Sequence, residues 1–442
     1  MKFIIERSNE ALFSHSGLAL VGSLLKKSGL APLLDEVDPK RSASDVYPSS
    51  DVAMSMVGLL CMAKPDFDDI IPFRKDDFFV KALNLSRKKA PSSPTIRQRL
   101  DAASAVWDET VLEANVNLLR REAQIPVHKS GYVLLSFDVS PMDNSDSHKE
   151  GVSWTYKNFN GFAPMFAHLG EAGHLINLEF RRGSAHSQCE GAPDFIRQTN
   201  RLAKRIVPPG AKILNLFDSG DDSVKTIKAC RAEGSDFIIK RNLRKESPED
   251  WLAIAKDYGQ AKLVRPGKTE YSGRMTVTLE KLDDPVDIAF RVVERTIDRK
   301  GQLLLSPEIE VETYHVSPPM PVEQVIEIYH VRGTFEQFHS EFKTDMDLER
   351  LPSGSFSTNT RVMFLGMLAY NILRIIGQSA LGFDSYRQNF KKGTARRRLK
   401  SVIQDLIYLA CRLVRHANRL KILLGQESPY FAVFRGLYCR WT

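Results

Sequence analysis

Tyr132-Val133-Leu134-Leu135-Ser136-Phe137-Asp138 decides the fold: a short apolar run, rich in β-branched and aromatic residues, that ends in a carboxylate. Such a run reads as a mostly buried strand. Outward from it, Met165 to Leu169 and Leu175 to Phe180 read as two more strands, joined as a hairpin through Gly170 and Gly173. A helix fits Ala192 to Ile206 and is stopped by Pro208-Pro209-Gly210. Ile213-Leu214-Asn215-Leu216-Phe217 then repeats the pattern of the first strand, short and apolar, with Asp218 directly after it. A helix from Ser223 to Ala232 and a strand Phe237-Ile238-Ile239-Lys240 follow.

The order is three strands, helix, strand, helix, strand, with acids at the ends of the first and fourth strands. An α/β core of this order resembles the ribonuclease-H-like nucleases, a likeness of fold that carries no function by itself. From 241 the pattern changes. Arg274 to Glu280, Asp287 to Arg295 and Glu308 to Tyr314 alternate like half-exposed strands, and Pro318-Pro319-Met320-Pro321 closes the segment. A helix begins near Val322. Upstream, apolar residues recur at helical spacing in Leu18 to Leu34, Val52 to Met62 and Val106 to Leu119. Ser92 to Leu100 looks like a capped helix start, with Ser93 before a proline at the first helical position. Its two arginines either meet phosphates or line a solvated face. The expected architecture is therefore α/β: a mixed-sheet core (129–240 and 321–350), a β-rich insertion (241–320), and helical regions at 1–128 and 351–442, the latter basic.

Totals set the bounds. The 442 residues allow two to three domains, and 43% hydrophobic with 26% charged residues is an ordinary globular balance. A net charge of +8 suits an anionic partner. Nucleic acid is the commonest, although ribosome contacts and anionic membrane surfaces give similar totals. The five cysteines are scattered and form no CxxC pair, which argues against a disulfide scaffold or zinc site and fits a reducing cytoplasm. The apolar run in MKFIIERSNE is too short for a signal peptide. Val362 to Leu373 ends at Arg374, short of the ~20 residues of a membrane span, and reads as a buried helix.

The helix after the insertion runs Tyr329-His330-Val331-Arg332-Gly333-Thr334-Phe335-Glu336-Gln337-Phe338-His339-Ser340-Glu341-Phe342-Lys343. At about 100° per residue, Tyr329, Arg332, Glu336 and Lys343 fall at roughly 0°, 300°, 340° and 320°, within an arc of about 60°. A carboxylate flanked by a phenol, a guanidinium and an ammonium suits a phosphodiester site. An exposed helix with intrahelical ion pairs would account for Arg332 and Glu336 alone, but poorly for all four positions.

This four-residue spacing resembles the signature of DDE insertion-sequence transposases, in their Tyr-Arg-Glu-Lys branch with a β-strand insertion. The continuation from Phe338-His339-Ser340-Glu341-Phe342-Lys343-Thr344 to Leu348-Glu349-Arg350 is similar too. Phe137-Asp138-Val139 with His148-Lys149-Glu150-Gly151 resembles the first-aspartate region of the thirteen-eighty family of bacterial insertion sequences. Asp218-Ser219-Gly220 resembles its second-aspartate motif, although Asp221 stands where an aromatic residue usually follows. Met367 to Leu373 is like that family's apolar helix after the glutamate. The likeness covers roughly 130 to 375.

The resemblance implies a DNA transposase in which Asp138, Asp218 and Glu336 are catalytic and hold two Mg²⁺ ions, which Mn²⁺ can replace. Donors that are all hard oxygens agree with those metals. Tyr329, Arg332 and Lys343 would grip phosphates beside the cleavage point. The implied partners are double-stranded transposon ends and target DNA, with a homodimer in the DNA complex, the helical 1–128 region binding ends or aiding assembly, no membrane and no small-molecule cofactor, in the bacterial cytoplasm. Either aspartate could instead be a turn former or helix cap. Asp143, Asp146, Glu150, Asp221 and Asp222 are rival acids, and strand ends favour Asp138 and Asp218. Lys240 and Arg241, together with Arg244 and Lys245 and the run Arg201 to Arg205, are candidate DNA contacts. So are Arg396, Arg397 and Arg398 within Lys391 to Lys400, a run that also reads as a solvated loop. His148 and His186 receive no role. Competing functions are a catalytically silent domesticated DNA-binding protein, a ribonuclease-H-like nuclease without strand joining, and a small-molecule phosphohydrolase; the last lacks a Gly-rich phosphate loop.

Overall fold

The computed structural model describes residues 3–5, 9–38, 47–186, 188–244, 246–388, 390–391, 393–417 and 419–442. Lys245 and Lys392 of the basic runs lie outside the described residues. The chain divides into two compact units, one of residues 125–141 and 163–338, the other of 1–124, 142–162 and 339–442.

The first unit is built on one nine-stranded sheet. Its elements are β1 (Tyr132–Val139), β2 (Met165–Leu169), β3 (His174–Glu179), α1 (Ala192–Ile206), β4 (Lys212–Phe217), α2 (Val224–Ala232), β5 (Asp236–Lys240), α3 (Pro248–Tyr258), β6 (Gln260–Arg265), β7 (Lys268–Val277), β8 (Val286–Ile297), β9 (Leu303–Val316) and α4 (Val322–Val331). The strand order is β6-β7-β8-β9-β5-β4-β1-β2-β3. β1, β4 and β5 run parallel, and the remaining pairs are antiparallel. Parallel strands buried on both faces need apolar residues throughout, which is why β1 and β4 lack polar alternation. α1 buries Phe195, Ile196, Thr199, Leu202, Ala203 and Ile206, one stripe at helical spacing.

The β-rich segment inserted in the core continues the central sheet. β9 pairs antiparallel with β5, so β6 to β9 extend the central sheet, with α3 packed on them. Both α3 and the edge strand β6 are additions to the expected pattern.

The stretch from Val322 to Asp345 is a correction: it is not one continuous α-helix. α4 ends at Val331, a 3₁₀ turn spans Arg332–Thr334, α5 spans Phe335–Ser340, and a π-helical turn spans Glu341–Asp345. Gly333, a poor helix former, sits in the tightened turn, and each change of pitch rotates the following residues off the ideal wheel. A uniform helical wheel therefore does not describe Tyr329, Arg332, Glu336 and Lys343.

In the second unit, helices Ser49–Cys61 and Val106–Glu122 pack against Phe356–Ala380. That last helix is long and apolar enough to cross a membrane, yet 83% of its most apolar window is buried inside the protein. Asn371 donates to Asn115 Oδ1 at 2.7 Å within this core. The helix after Ser92 is capped by Ser92 itself, one residue earlier than expected, with Pro94 in its first turn. The region 351–442 is not wholly helical: strands Cys411–His416 and Arg419–Leu424 form a hairpin beside Leu12–Phe13.

Candidate active site

The register between β1 and β4 builds the site. Ser136 lies opposite Leu216, and one residue on, the rings of Phe137 and Phe217 stack with centroids 4.7 Å apart at 11°. Continuing the same register sets Asp138 level with Asp218 at the carboxyl ends of neighbouring parallel strands. Parallel pairing is what makes two strand-terminal acids meet, since antiparallel neighbours would send them to opposite ends. Asp218 is half-buried and accepts the Ser219 N–H at 2.7 Å, so it also opens the short 3₁₀ turn Ser219–Asp221. The helix-capping alternative is not how α2 begins, because Ser223 caps it.

Two side chains from the following helical stretch close over these acids. Tyr329, at the end of α4, is buried against Tyr314, its ring centroid 4.7 Å away, and its hydroxyl donates to Asp218 Oδ1 at 3.4 Å. Arg332 places Nη2 2.9 Å from Asp138 Oδ1 and 3.3 Å from the Phe137 carbonyl. α4 can hold them there because Val325, Ile328 and Tyr329 pack on Leu134, Leu214 and Leu216 of the sheet.

The electrostatics record crowding. Burial raises the Asp138 carboxyl above its ordinary range and Asp218 adds to the rise, while Arg332 opposes it. Asp221, only 4% exposed, is pushed to about 7 by burial and then by Asp138 and Asp218, against Arg332 and Arg181. Burial also pushes the Tyr329 phenol up, so it stays a hydrogen-bond donor. For Arg332 burial works downward, but Asp138, Tyr329, Asp218 and Asp221 outweigh it and keep the guanidinium charged. Three carboxylates thus share one low-dielectric place with two guanidiniums.

The remaining expected residues have partners or surroundings of their own. Glu336 is exposed on α5 and makes no hydrogen bond or ion pair among those described. Lys343 belongs to the second unit, in the π-helical turn. Lys240 ends β5, and Arg241 is held by Glu246 at 2.7 Å and lies over the Trp251 ring. Arg201 and Lys204 both bond Glu233. Arg396 pairs with Glu341, Arg397 with Asp405 and Arg398 with Asp345, so each of these guanidiniums already serves its own unit. Of the rival acids, Asp222 accepts the Asn242 N–H and faces His315, Asp143 caps a local turn, and Glu150 accepts the Phe356 N–H. Arg181 was not foreseen. It directly follows the strand read as Leu175 to Phe180, and a cation just past a strand end was the available signal.

The donor set tests what the site could hold. Among the described residues no three His, Cys, Asp or Glu side chains converge as a ready cage for a metal ion. Asp138 and Asp218 are nonetheless paired hard oxygen donors, with surplus negative charge that raises the acids around them, and that chemistry fits a divalent cation.

A family model described as "Transposase DDE domain group 1" matches residues 4–440. No curated protein matches the chain.

Proposed function

The chain belongs to the transposase DDE domain family, and from that premise we propose that it cuts DNA at the ends of an insertion sequence and joins the freed 3′ ends to target DNA. A transposase acts on DNA, so the surplus of cations has its partner. The observation that carries the reading is the pair Asp138 and Asp218, level on adjacent parallel strands and faced by Arg332 and Tyr329. The sheet order around that pair supports a ribonuclease-H-like core, and the Tyr329, Arg332, Glu336 and Lys343 spacing supports the Tyr-Arg-Glu-Lys branch near the thirteen-eighty family.

Asp138 and Asp218, with Glu336, are the residues that would hold Mg²⁺ or Mn²⁺. Bound there, two such ions would lower the barrier to attack by water or a 3′-hydroxyl and stabilise the leaving oxygen. The protein's own share is positional. Arg332 opposes the rise that burial imposes on the Asp138 carboxyl, and Tyr329 orients Asp218 through a phenol that keeps its proton. A guanidinium and a phenol beside the acids can also receive phosphate oxygens. The product ends are paired by two copies in our reading, a homodimer on DNA.

An excision assay in cells tests this. A marked donor carries the element's own ends, and wild type is compared with Glu336→Gln and Asp218→Asn at matched expression. Loss of excision in both variants, each still shifting end DNA in a gel, supports the reading. Wild type that binds ends but never excises points to a silent DNA-binding protein.

A further inference from the structure

The second unit contains a cavity of about 540 Å³ that the proposed chemistry does not use. Such a volume lies within the ~300–1,000 Å³ of small-molecule sites. Its lining includes two kinds of surface. One is cationic, formed by Lys26 and Lys27 at the end of helix Leu18–Ser28, Lys81 in helix Asp77–Ala82, and Arg121 at the end of helix Val106–Glu122. The other is apolar and aromatic, with Leu420 and Ile422 from the hairpin and Tyr438 and Trp441 from helix Phe431–Trp441.

The cations are only weakly committed. Lys81 pairs with Asp77, which is 61% exposed, and Lys27 stands 3.9 Å from Glu122. Arg121 gives one N–H to the Lys27 carbonyl at 2.7 Å and keeps others of its five. Lys26 has no carboxylate partner among the described residues. Trp441 lines the cavity and is 3% exposed.

We propose that this cavity binds a nucleotide, its phosphate held by Lys26, Lys81 and Arg121 and its base against Tyr438 and Trp441. Cations beside an aromatic platform are how proteins hold unpaired nucleotides, because every base has a stacking face and every link a negative charge. The nucleotide is either free or part of a single strand. The inference stands apart from the chemistry at Asp138 and needs no metal.

The test uses the full chain in EDTA. Binding of a fluorescein-labelled single-stranded oligonucleotide is followed by anisotropy, and binding of dAMP by calorimetry. The Lys26→Glu, Lys81→Glu double variant is expected to weaken binding about tenfold or more. Its dependence of log Kd on log salt should fall by roughly 0.7 per lost contact. Tyr438→Ala should weaken binding about tenfold with the salt slope unchanged. The milder Lys26→Gln, Lys81→Gln pair replaces the charge reversal if circular dichroism shows a folding defect. A pocket-dependent response to dAMP assigns a free nucleotide; a response to the oligonucleotide alone assigns a strand. Wild type that binds neither probe, or pocket variants that bind as wild type does, overturns the proposal. Binding measured in EDTA does not depend on the metal chemistry, which separates this outcome from failure at the catalytic site.

Discussion

Arg332 holds Asp138: a guanidinium nitrogen stands 2.9 Å from a carboxylate oxygen, with the two side chains 12% and 24% exposed. Removing one partner of a largely buried pair leaves the other charge uncompensated. Arg332→Ala should therefore destabilise the protein by roughly 3 kcal/mol, lowering Tm by about 6–10 °C. Adding Asp138→Asn to it should recover most of that loss, since the stranded charge is then gone. Thermal melts of the two single variants and the double variant measure the coupling; additive losses would contradict the pairing.

Asp218 and Asp221 lie three positions apart but should behave differently. Asp218 is half-buried, whereas Asp221 is buried within the turn that Asp218 opens. Asp218→Asn should reduce excision by a factor on the order of 10³, and Asp221→Asn should leave it within about tenfold. Equal losses in the excision assay would make Asp221 a ligand as well.

Asp108 offers a pH test away from the site. Burial pushes its carboxyl to about 7, Arg361 opposes the rise, and one carboxylate oxygen is buried without a partner. A carboxyl whose folded pKa is raised contributes stability below its unfolded pKa and loses it as pH climbs through the folded value. Wild type should thus lose this contribution between about pH 4 and pH 7. Asp108→Asn should flatten that decline and melt higher than wild type at pH 8. Parallel melting curves for the two proteins across that range would refute the assignment.

Gly173 ties a hairpin turn to the helix that carries Glu336. Its φ is +71°, and a Cβ there would lie 2.2 Å from the Phe338 ring, which also packs on His168 at 5.4 Å. Gly173→Ala combines a disfavoured backbone with a clash against a buried ring. A cost of about 2–3 kcal/mol is expected, read as a fall in Tm of about 4–10 °C, with excision reduced as well. Unchanged stability would show that the turn has room to spare.

The core was legible because its signals are local. Two short apolar runs ending in Asp138 and Asp218 announce buried strands, and their parallel pairing brings the acids together. Edge pairing was not legible, since β9 joins β5 through contacts far apart in sequence and alternation cannot tell an extended sheet from a separate domain. The hairpin Cys411–Leu424 was read as helix for the same reason; its strand partner Leu12–Phe13 lies at the other end of the chain. The pitch changes after Val331 defeat a uniform wheel, so sequence spacing alone could not place Glu336 against Tyr329 and Arg332. Charge runs misdirect in another way: Arg396, Arg397 and Arg398 count as free cations in the sequence, yet each meets a carboxylate in the fold.

The central claim is that carboxylates at Asp138, Asp218 and Glu336 cut DNA with a divalent metal. Cleavage by purified protein on a duplex bearing the element's end, with Mg²⁺ or with EDTA, tests it most directly. Wild type should release a 3′-hydroxyl at the element boundary only with Mg²⁺, while Asp138→Asn and Glu336→Gln bind the same duplex and leave it intact. Cutting at the wild-type rate by either variant, or by wild type in EDTA, would contradict the account.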